Sequence, residues 1–383
     1  MRIAIIADWL PVYAGAEHVI AEFRRLWPDA PIFTSVANHG RLGPLDESDI
    51  QTSSLQKWYK LSGRHHRILL PLMPKAMEEF DLGGFDVILS SSHAVGKGII
   101  PPSAAKHICY CHTPMRYGWE MENEYLKNSR IPKIFWKRIK KTFKQIRRWD
   151  MTTAKRVDVF IANSTSVADR IKKIYNRDSV VIHPPVSDRF FAQKTNPTAL
   201  LRYCAKKEYL ALGRLVPYKR FDLLIETANR FQIFLKIAGE GPDEGRLRRM
   251  AGPTVSFTGF VNENDLIKTY SNAKALLYPQ EEDAGIAPLE AQACGTPVIA
   301  FGKGGALDTI GENQTGIFFH EQTSQALKEA IDRFEAMQFN RDAIIKHAEK
   351  FSAEKFREKI LDIIKNCLPA AAPSFSEEQR LEN

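Results

Sequence analysis

Cysteine is scarce: five residues in 383, at Cys109, Cys111, Cys204, Cys294 and Cys367, with no C-x-x-C spacing among them. An odd, scattered set excludes a disulfide framework and a zinc site, and it predicts a reducing, cytoplasmic setting. No apolar run approaches the ~18–20 residues that span a bilayer. The opening residues Met1 to Asp8 read as a buried strand ending in an acid, not as a leader peptide. No two aspartates stand two apart, so a D-x-D metal motif is missing. The G-x-G-x-x-G frame of a dinucleotide-binding oxidoreductase is missing too. There is no internal repeat and no low-complexity tract.

What remains is ordinary globular composition on a chain long enough for two domains. The formal net charge of +9 leaves nucleic acid, anionic lipid and phosphorylated substrates open as partners, so its placement must decide. Cys109 and Cys111 fall two apart in an apolar run, on one face of a strand, and read as small hydrophobes.

Apolar runs alternate with amphipathic stretches throughout. In the first half, strands are expected at 2–7, 32–35, 85–90, 107–111, 157–162 and 180–183, with helices at 16–26, 131–149 and 167–174. In the second, strands are expected at 209–213, 234–238, 255–258, 275–278 and 297–300, with helices at 219–230, 241–250, 263–271 and 285–293. That rhythm is the signature of α/β units with parallel sheets covered on both faces. Pro184-Pro185 continues neither a strand nor a helix, and a second α/β series begins after it. The chain is therefore divided into a first Rossmann-like domain at 1–186 and a second at 187–350. Phe356, Ile360 and Ile363-Ile364 at helical spacing predict a helix over 351–368, and the Ala-, Ser- and Glu-rich residues 369–383 predict a disordered tail.

Two segments carry most of the chemistry. From Pro279 to Pro297 a strand ends, an acidic loop with Glu282 and Gly285 follows, and a helix with Glu290 begins near Pro288. Free N–H groups and the dipole at such a helix start attract a diphosphate, and a carboxylate accepts two hydrogen bonds from adjacent sugar hydroxyls. An acid favoured by the dipole and a solvated helix glutamate explain the segment equally well. From Gly213 to Ile225 another strand-to-helix turn is flanked by Arg214 and Lys219. Cations at a helix start are unfavourable without an anion, which favours a pyrophosphate there.

With Gly239-Glu240-Gly241-Pro242 between them and the Glu-x7-Glu and A-C-G-T-P-V sequences behind, these segments resemble the retaining glycosyltransferases of family four, which have the GT-B fold. The resemblance covers roughly the whole chain. It implies two Rossmann-like domains with a cleft between them and a terminal helix that crosses back to the first. It also implies that Arg214 and Lys219 bind the donor pyrophosphate, that Glu290 holds the ribose, and that Glu282 holds the transferred sugar beside the backbone of Gly285 and Ile286. Gly241 and Val261 join the donor-binding set, the latter against the base. In the first domain, Gly15 lets backbone approach a phosphate, although Ala14 stands where a second glycine is common. Ala284 likewise replaces a common aromatic. His112 is assigned to the reacting sugar together with Glu282, and Ser91-Ser92-His93 with Gly96-Lys97-Gly98 to the acceptor side. No metal or other cofactor is expected, because Arg214, Lys219 and the helix start would neutralise the leaving diphosphate.

Residues 125–149 contain no Asp or Glu. There, Lys133, Lys137, Arg138, Lys140, Lys141, Lys144, Arg147 and Arg148 interleave with Phe135, Ile139, Phe143, Ile146 and Trp149 at helical spacing. Geometry alone leaves a core-packed helix and a membrane-surface helix equally open. The lipid-linked acceptors of the resembled family point to the second, hence to an anionic membrane surface engaged through Lys133–Arg148 at the inner face of the plasma membrane. Nucleic acid is not expected, since stacking platforms and binding motifs are missing. The first-domain sequences 70–82, 90–95 and 111–117 resemble bacterial mannosyltransferases of surface-polysaccharide and lipopolysaccharide assembly. They imply GDP-mannose as donor and a glycan or lipid-linked acceptor. A UDP-sugar donor, or a non-catalytic nucleotide-sugar- or nucleic-acid-binding module, are the alternatives.

Overall fold

The computed structural model describes residues 1–119, 136–195 and 208–368. Two parallel sheets organise it. The first has strands β1 (Ile3–Ala7), β2 (Ile32–Thr34), β3 (Ile50–Thr52), β4 (Val87–Ser92), β5 (Lys106–Cys111), β6 (Val159–Ala162) and β7 (Ser179–Val181), in the order β3-β2-β1-β4-β5-β6-β7. The second has β8 (Tyr209–Leu212), β9 (Leu235–Ala238), β10 (Val255–Gly259), β11 (Leu276–Tyr278), β12 (Val298–Phe301) and β13 (Gly316–Phe319), in the order β10-β9-β8-β11-β12-β13. These are the two Rossmann-like halves of a GT-B fold. In both sheets the strand order reverses beside the first strand, and ligands of such sheets bind outside the carboxyl ends of the strands at that switch point.

The unbroken apolar run of β1 is explained by burial of all five residues between two helical layers. In β5, Ile108 and Tyr110 enter one core cluster while Cys109 and Cys111 enter another, so the cysteines do serve as small hydrophobes on a single face. Sequence periodicity misses β3, a three-residue edge strand that is only half buried. It also misses β13, which opens on a glycine whose Cβ would lie 2.2 Å from the Val298 carbonyl.

Helix α1 (Gly15–Leu26) starts without a side-chain cap at Ala14, but the Glu17 carboxylate accepts the Ala14 N–H at 3.1 Å. A turn at Pro217–Lys219 and a left-handed Arg220 (φ 56°) precede the helix Phe221–Phe231, so Lys219 lies on the turn and not inside the helix as expected. The helix expected from Gly241 begins instead at Glu244, because Gly241 packs directly on the Leu215 backbone. The terminal helix Ala353–Cys367 buries Phe356, Ile360 and Ile364 in the first domain's core, and Arg357 pairs with Glu22. The chain passes between the sheets twice, and the crossings bond to each other: Val186 N–H donates to Phe351 at 2.8 Å and Ala353 N–H to Val186 at 3.1 Å.

The basic helix runs from Trp136 to Thr153. Phe143 and Ile146 are buried, and Ile139 and Trp149 partly so, in the cluster that covers one face of the first sheet through Ala4, Ile6 and Ile88. The Trp149 ring lies where a Cβ on Gly98 would be, and its Nε1 donates to Glu78 at 2.9 Å. Insertion of Phe143 and Trp149 into lipid is thereby overturned: their stripe is consumed by the core. Lys137, Arg138, Lys140, Lys141, Lys144 and Arg148 remain exposed. Lys133 and Phe135, and the tail 369–383, lie outside the described residues.

Candidate functional site

The expected site residues gather where the carboxyl ends of the two sheets face each other. On the first-domain side, Asp8 leaves the end of β1 and is buried. Its carboxylate accepts from Ser92 Oγ and from the backbone N–H groups of His93, Ala94, Val95 and Gly96 at 2.5–3.1 Å, and pairs with His93 Nδ1 at 2.9 Å. Burial alone would raise the Asp8 pKa, but the His93 charge and these donors hold it well below the ordinary range. In turn, burial would lower the His93 pKa, yet the Asp8 carboxylate raises it.

His112, just beyond β5, places Nε2 2.8 Å from Ser91 Oγ and lies 6.3 Å, ring to ring, from His93. Burial and the neighbouring His93 charge push its pKa down to about 3, so the imidazole is neutral and can exchange a hydrogen bond with a sugar hydroxyl. Lys97 does not line the acceptor side as expected. It turns inward, buried, and pairs with Asp150 at 2.6 Å.

On the second-domain side, Glu282 accepts from Tyr278 OH at 2.6 Å and pairs with Lys219 at 3.1 Å. Lys219 folds back over Gly213, whose Cβ would lie 2.9 Å from Nζ. Arg214 is exposed on the same turn. Glu290 lies one helix turn further in and accepts from Tyr270 OH at 2.8 Å, and burial raises its pKa. The helix Ile286–Ala293 is preceded by a left-handed Gly285 (φ 73°) packed against the Tyr278 hydroxyl, so a side chain there would clash. The N–H groups of Ile286 and Ala287 have no intrahelical partner. Val261 packs partly buried at the end of β10 beside an exposed Phe260.

The two sides touch. A Cβ on Gly15 would lie 3.7 Å from Ile286 Cδ1, and Arg116 reaches Asp283 at 2.5 Å, next to Glu282. Arg170 joins the same carboxylate oxygen. Asp308 accepts from Thr165 N–H at 2.7 Å and faces His183 at 3.3 Å. Sequence reasoning missed Asp283, Arg116 and Arg170, whose contacts are far apart in the chain, and also Tyr278 and Tyr270, which lie near their glutamates in sequence but carry no motif of their own. Asp8 left one signal: an acid ending an otherwise apolar strand. Gly304 and Gly305 were missed as well. Their Cβ atoms would strike the backbone of Glu282 and Asp283, so they let the loop that bears Glu282 settle.

Residues 13–190 match the model for Glycosyltransferase Family 4, and residues 192–351 match that for Glycosyl transferases group 1. The chain carries the two glycosyltransferase domains of the GT-B fold. This GT-B chain is 28% identical over 225 residues to a D-inositol 3-phosphate glycosyltransferase of Mycobacteroides abscessus, covering 53% of the chain and 51% of that relative. It is 31% identical over 141 residues to a GDP-mannose-dependent alpha-mannosyltransferase of Corynebacterium glutamicum, covering 37% of the chain and 33% of that relative. The match thus spans about half, or less, of the length of these curated relatives. In three dimensions, Anabaena HepE in complex with UDP-glucose matches with a TM-score of 0.68 over 96% of this chain and 100% of its own. At 16% identity, that likeness is one of fold.

Proposed function

We propose that the chain is a retaining glycosyltransferase that moves mannose from GDP-mannose to a glycan or lipid-linked acceptor in cell-surface polysaccharide synthesis. The observation that carries the reading is the approach of the loop bearing Glu282 to the first-domain segment running from His112 to Arg116, closed by the Arg116–Asp283 contact. The first domain, 1–186, presents the acceptor, and the second, 187–350, holds the donor. Arg214, Lys219 and the N–H groups that open the helix at Ile286 take the diphosphate. Gly15 leaves room for close backbone approach, Gly241 seats the backbone of Leu215 beside the Arg214 turn, Glu290 takes the ribose hydroxyls, and Val261 lies against the base.

Lys219 and Glu282 neutralise each other. A nucleotide sugar would exchange that pair, its diphosphate drawing Lys219 and its sugar hydroxyls taking the vacated carboxylate oxygen. Departure of the nucleoside diphosphate leaves an oxocarbenium-like centre, on which the neutral His112 orients a hydroxyl while the acceptor hydroxyl attacks from the face the leaving group vacates and passes its proton to the departing diphosphate oxygen. The diphosphate charge is met by cations and N–H groups, with no metal required. Closure over the cleft excludes water and limits donor hydrolysis. The exposed cations of 137–148 would hold the enzyme on the cytoplasmic face of an anionic membrane.

The test is thermal stabilisation by a panel of nucleotide sugars together with release of nucleoside diphosphate. GDP-mannose should raise Tm more than UDP-glucose or UDP-N-acetylglucosamine, because a ligand of the folded state alone stabilises it. An equal or larger shift with a UDP-sugar overturns the donor. No diphosphate release from any of them overturns the activity.

A further inference from the structure

The exposed cations of the basic helix leave the apolar half of a membrane contact unassigned, and the structure supplies it elsewhere. Between Gln51 and Met77 there is no Asp or Glu. This stretch forms a short helix, Gln56–Leu61, a turn, His66–Leu69, that packs against it, and the start of a third helix, Met73–Glu78. Its inward residues Leu55, Tyr59, Leu69, Leu70 and Met73 fill the same core cluster that receives Phe143 and Ile146 of the basic helix. Both elements therefore cover the same face of the first sheet, and Trp149 ties them together through Glu78.

The outward residues are unusual. Trp58, Leu61, Ile68 and Leu72 are 62%, 79%, 68% and 54% exposed, and Lys57, Lys60, Arg64 and Lys75 are exposed among them. Clustered exposed apolar side chains of this size mark an interaction surface. A protein partner's apolar patch would not answer four interspersed cations in a stretch that has no acid of its own and is met by the exposed Glu79 at Ser54. An anionic lipid surface answers both at once: acyl chains for the apolar tips, head groups for the charges.

We infer that Trp58, Leu61, Ile68 and Leu72 insert into the head-group region of an anionic membrane while the basic helix beside them supplies attraction at longer range. The surface lies next to the cleft. His66, in the turn that carries Ile68, stacks on Trp9 at 5.0 Å, Trp9 meets His93 at 4.9 Å, and His93 faces His112. Docking through this face puts the reacting end of the first domain within a few side chains of the lipid. The inference rests on the proposed membrane contact of the basic helix and, in that last consequence, on the proposed reading of the cleft.

The test is co-sedimentation of the full chain with phosphatidylcholine vesicles, with and without phosphatidylglycerol, up to about 1 M salt, where charges further than about 3 Å apart are screened. Wild type should bind only the anionic vesicles at low salt and keep a residual fraction at high salt. Trp58→Ser with Leu61→Ser, Ile68→Ser and Leu72→Ser should lower the high-salt partition about tenfold or more, with Tm and donor hydrolysis unchanged. Changing Lys137, Lys140, Lys141 and Lys144 to Glu should remove mainly the salt-sensitive part. Should the serine variant fold poorly, Trp58→Phe gives a second reading: brominated lipid should quench wild-type tryptophan fluorescence and quench this variant less. Equal pelleting of wild type and the serine variant, or equal quenching of wild type and Trp58→Phe, overturns the inference. So does a wild-type dimer that the serine substitutions dissociate, which would mean a second copy covers the patch. Vesicle binding without donor turnover would sink the enzymatic reading and leave the surface standing.

Discussion

At the edge of the first sheet the buried charge is held by backbone: Asp8 accepts four successive main-chain N–H groups as well as Ser92 and His93. At the facing edge of the second sheet, Glu282 is held among the described residues by the side chains of Lys219 and Tyr278. Main-chain donors fixed by a strand end do not move without local unfolding, whereas a lysine on a turn swings on a flexible stem. The first edge is thus built as a fixed wall and the second as an exchangeable pair. The difference separates what should break folding from what should break turnover.

Breaking the wall has the largest expected effect. Asp8→Ala leaves a row of N–H groups and the His93 charge without their acceptor, and should cost about 3–5 kcal/mol, read as a fall in the denaturation midpoint. The pH dependence sharpens it. The lowered Asp8 pKa contributes stability that is present above the ordinary carboxylate value and lost as pH falls through the folded value. The raised His93 pKa contributes stability that is full below the ordinary imidazole value and lost as pH rises through the folded value. The stability gap between wild type and His93→Gln should therefore be widest between roughly pH 4 and 6.5 and narrow on the alkaline side. A gap that widens above neutrality would show that the two do not act as an ion pair.

Breaking the pair should spare folding and remove activity. Glu282→Ala and Lys219→Ala should each lower kcat/KM by about 10²–10³-fold, Lys219→Ala with weaker donor binding, as should Glu290→Ala to a lesser degree. His112→Ala should lower kcat more than donor affinity, because the proposed reaction sets its neutral ring against the reacting sugar and not the diphosphate. Wild-type kcat/KM in Arg214→Ala, Lys219→Ala and Glu282→Ala would show that the second edge holds no donor.

The two edges were not equally legible in the sequence. Strand-helix alternation and the unbroken apolar run of β1 announced the parallel sheets, and the family resemblance pointed to the second edge where spacing alone left two readings open, since Gly285, Glu282 and Glu290 lie on one short loop and helix. The wall was barely legible because Asp8 and the groups that donate to it are more than 80 residues apart. Likewise, Arg170 meets Asp283 only once the domains face each other. The basic helix misled for a physical reason. An apolar stripe has the same period whether it faces core or lipid, and only its contacts with Ile6 and Ile88 decided between them. The exposed tips at Trp58 and Leu61 sit on a six-residue helix, too short for a period to register.

The smallest expected effect is none at all, under chelation. The donor diphosphate gains negative charge as its bond to the sugar breaks, and the second edge offers three sources of compensation. Lys219 is half-buried on the turn, Arg214 is exposed beside it, and the helix from Ile286 presents N–H groups without intrahelical partners. Two cations and a helix start together match the charge that a divalent ion would otherwise supply. Initial rates measured in excess EDTA should therefore equal those in buffer, and added magnesium or manganese should not raise them. The comparison becomes sharper in Lys219→Ala: if the cations do the metal's work, magnesium should partly restore the variant's rate while leaving wild type unchanged. Activity lost in EDTA and regained with magnesium or manganese in the wild type would mean that the lysine and arginine do not suffice, and that the second edge is completed by an ion.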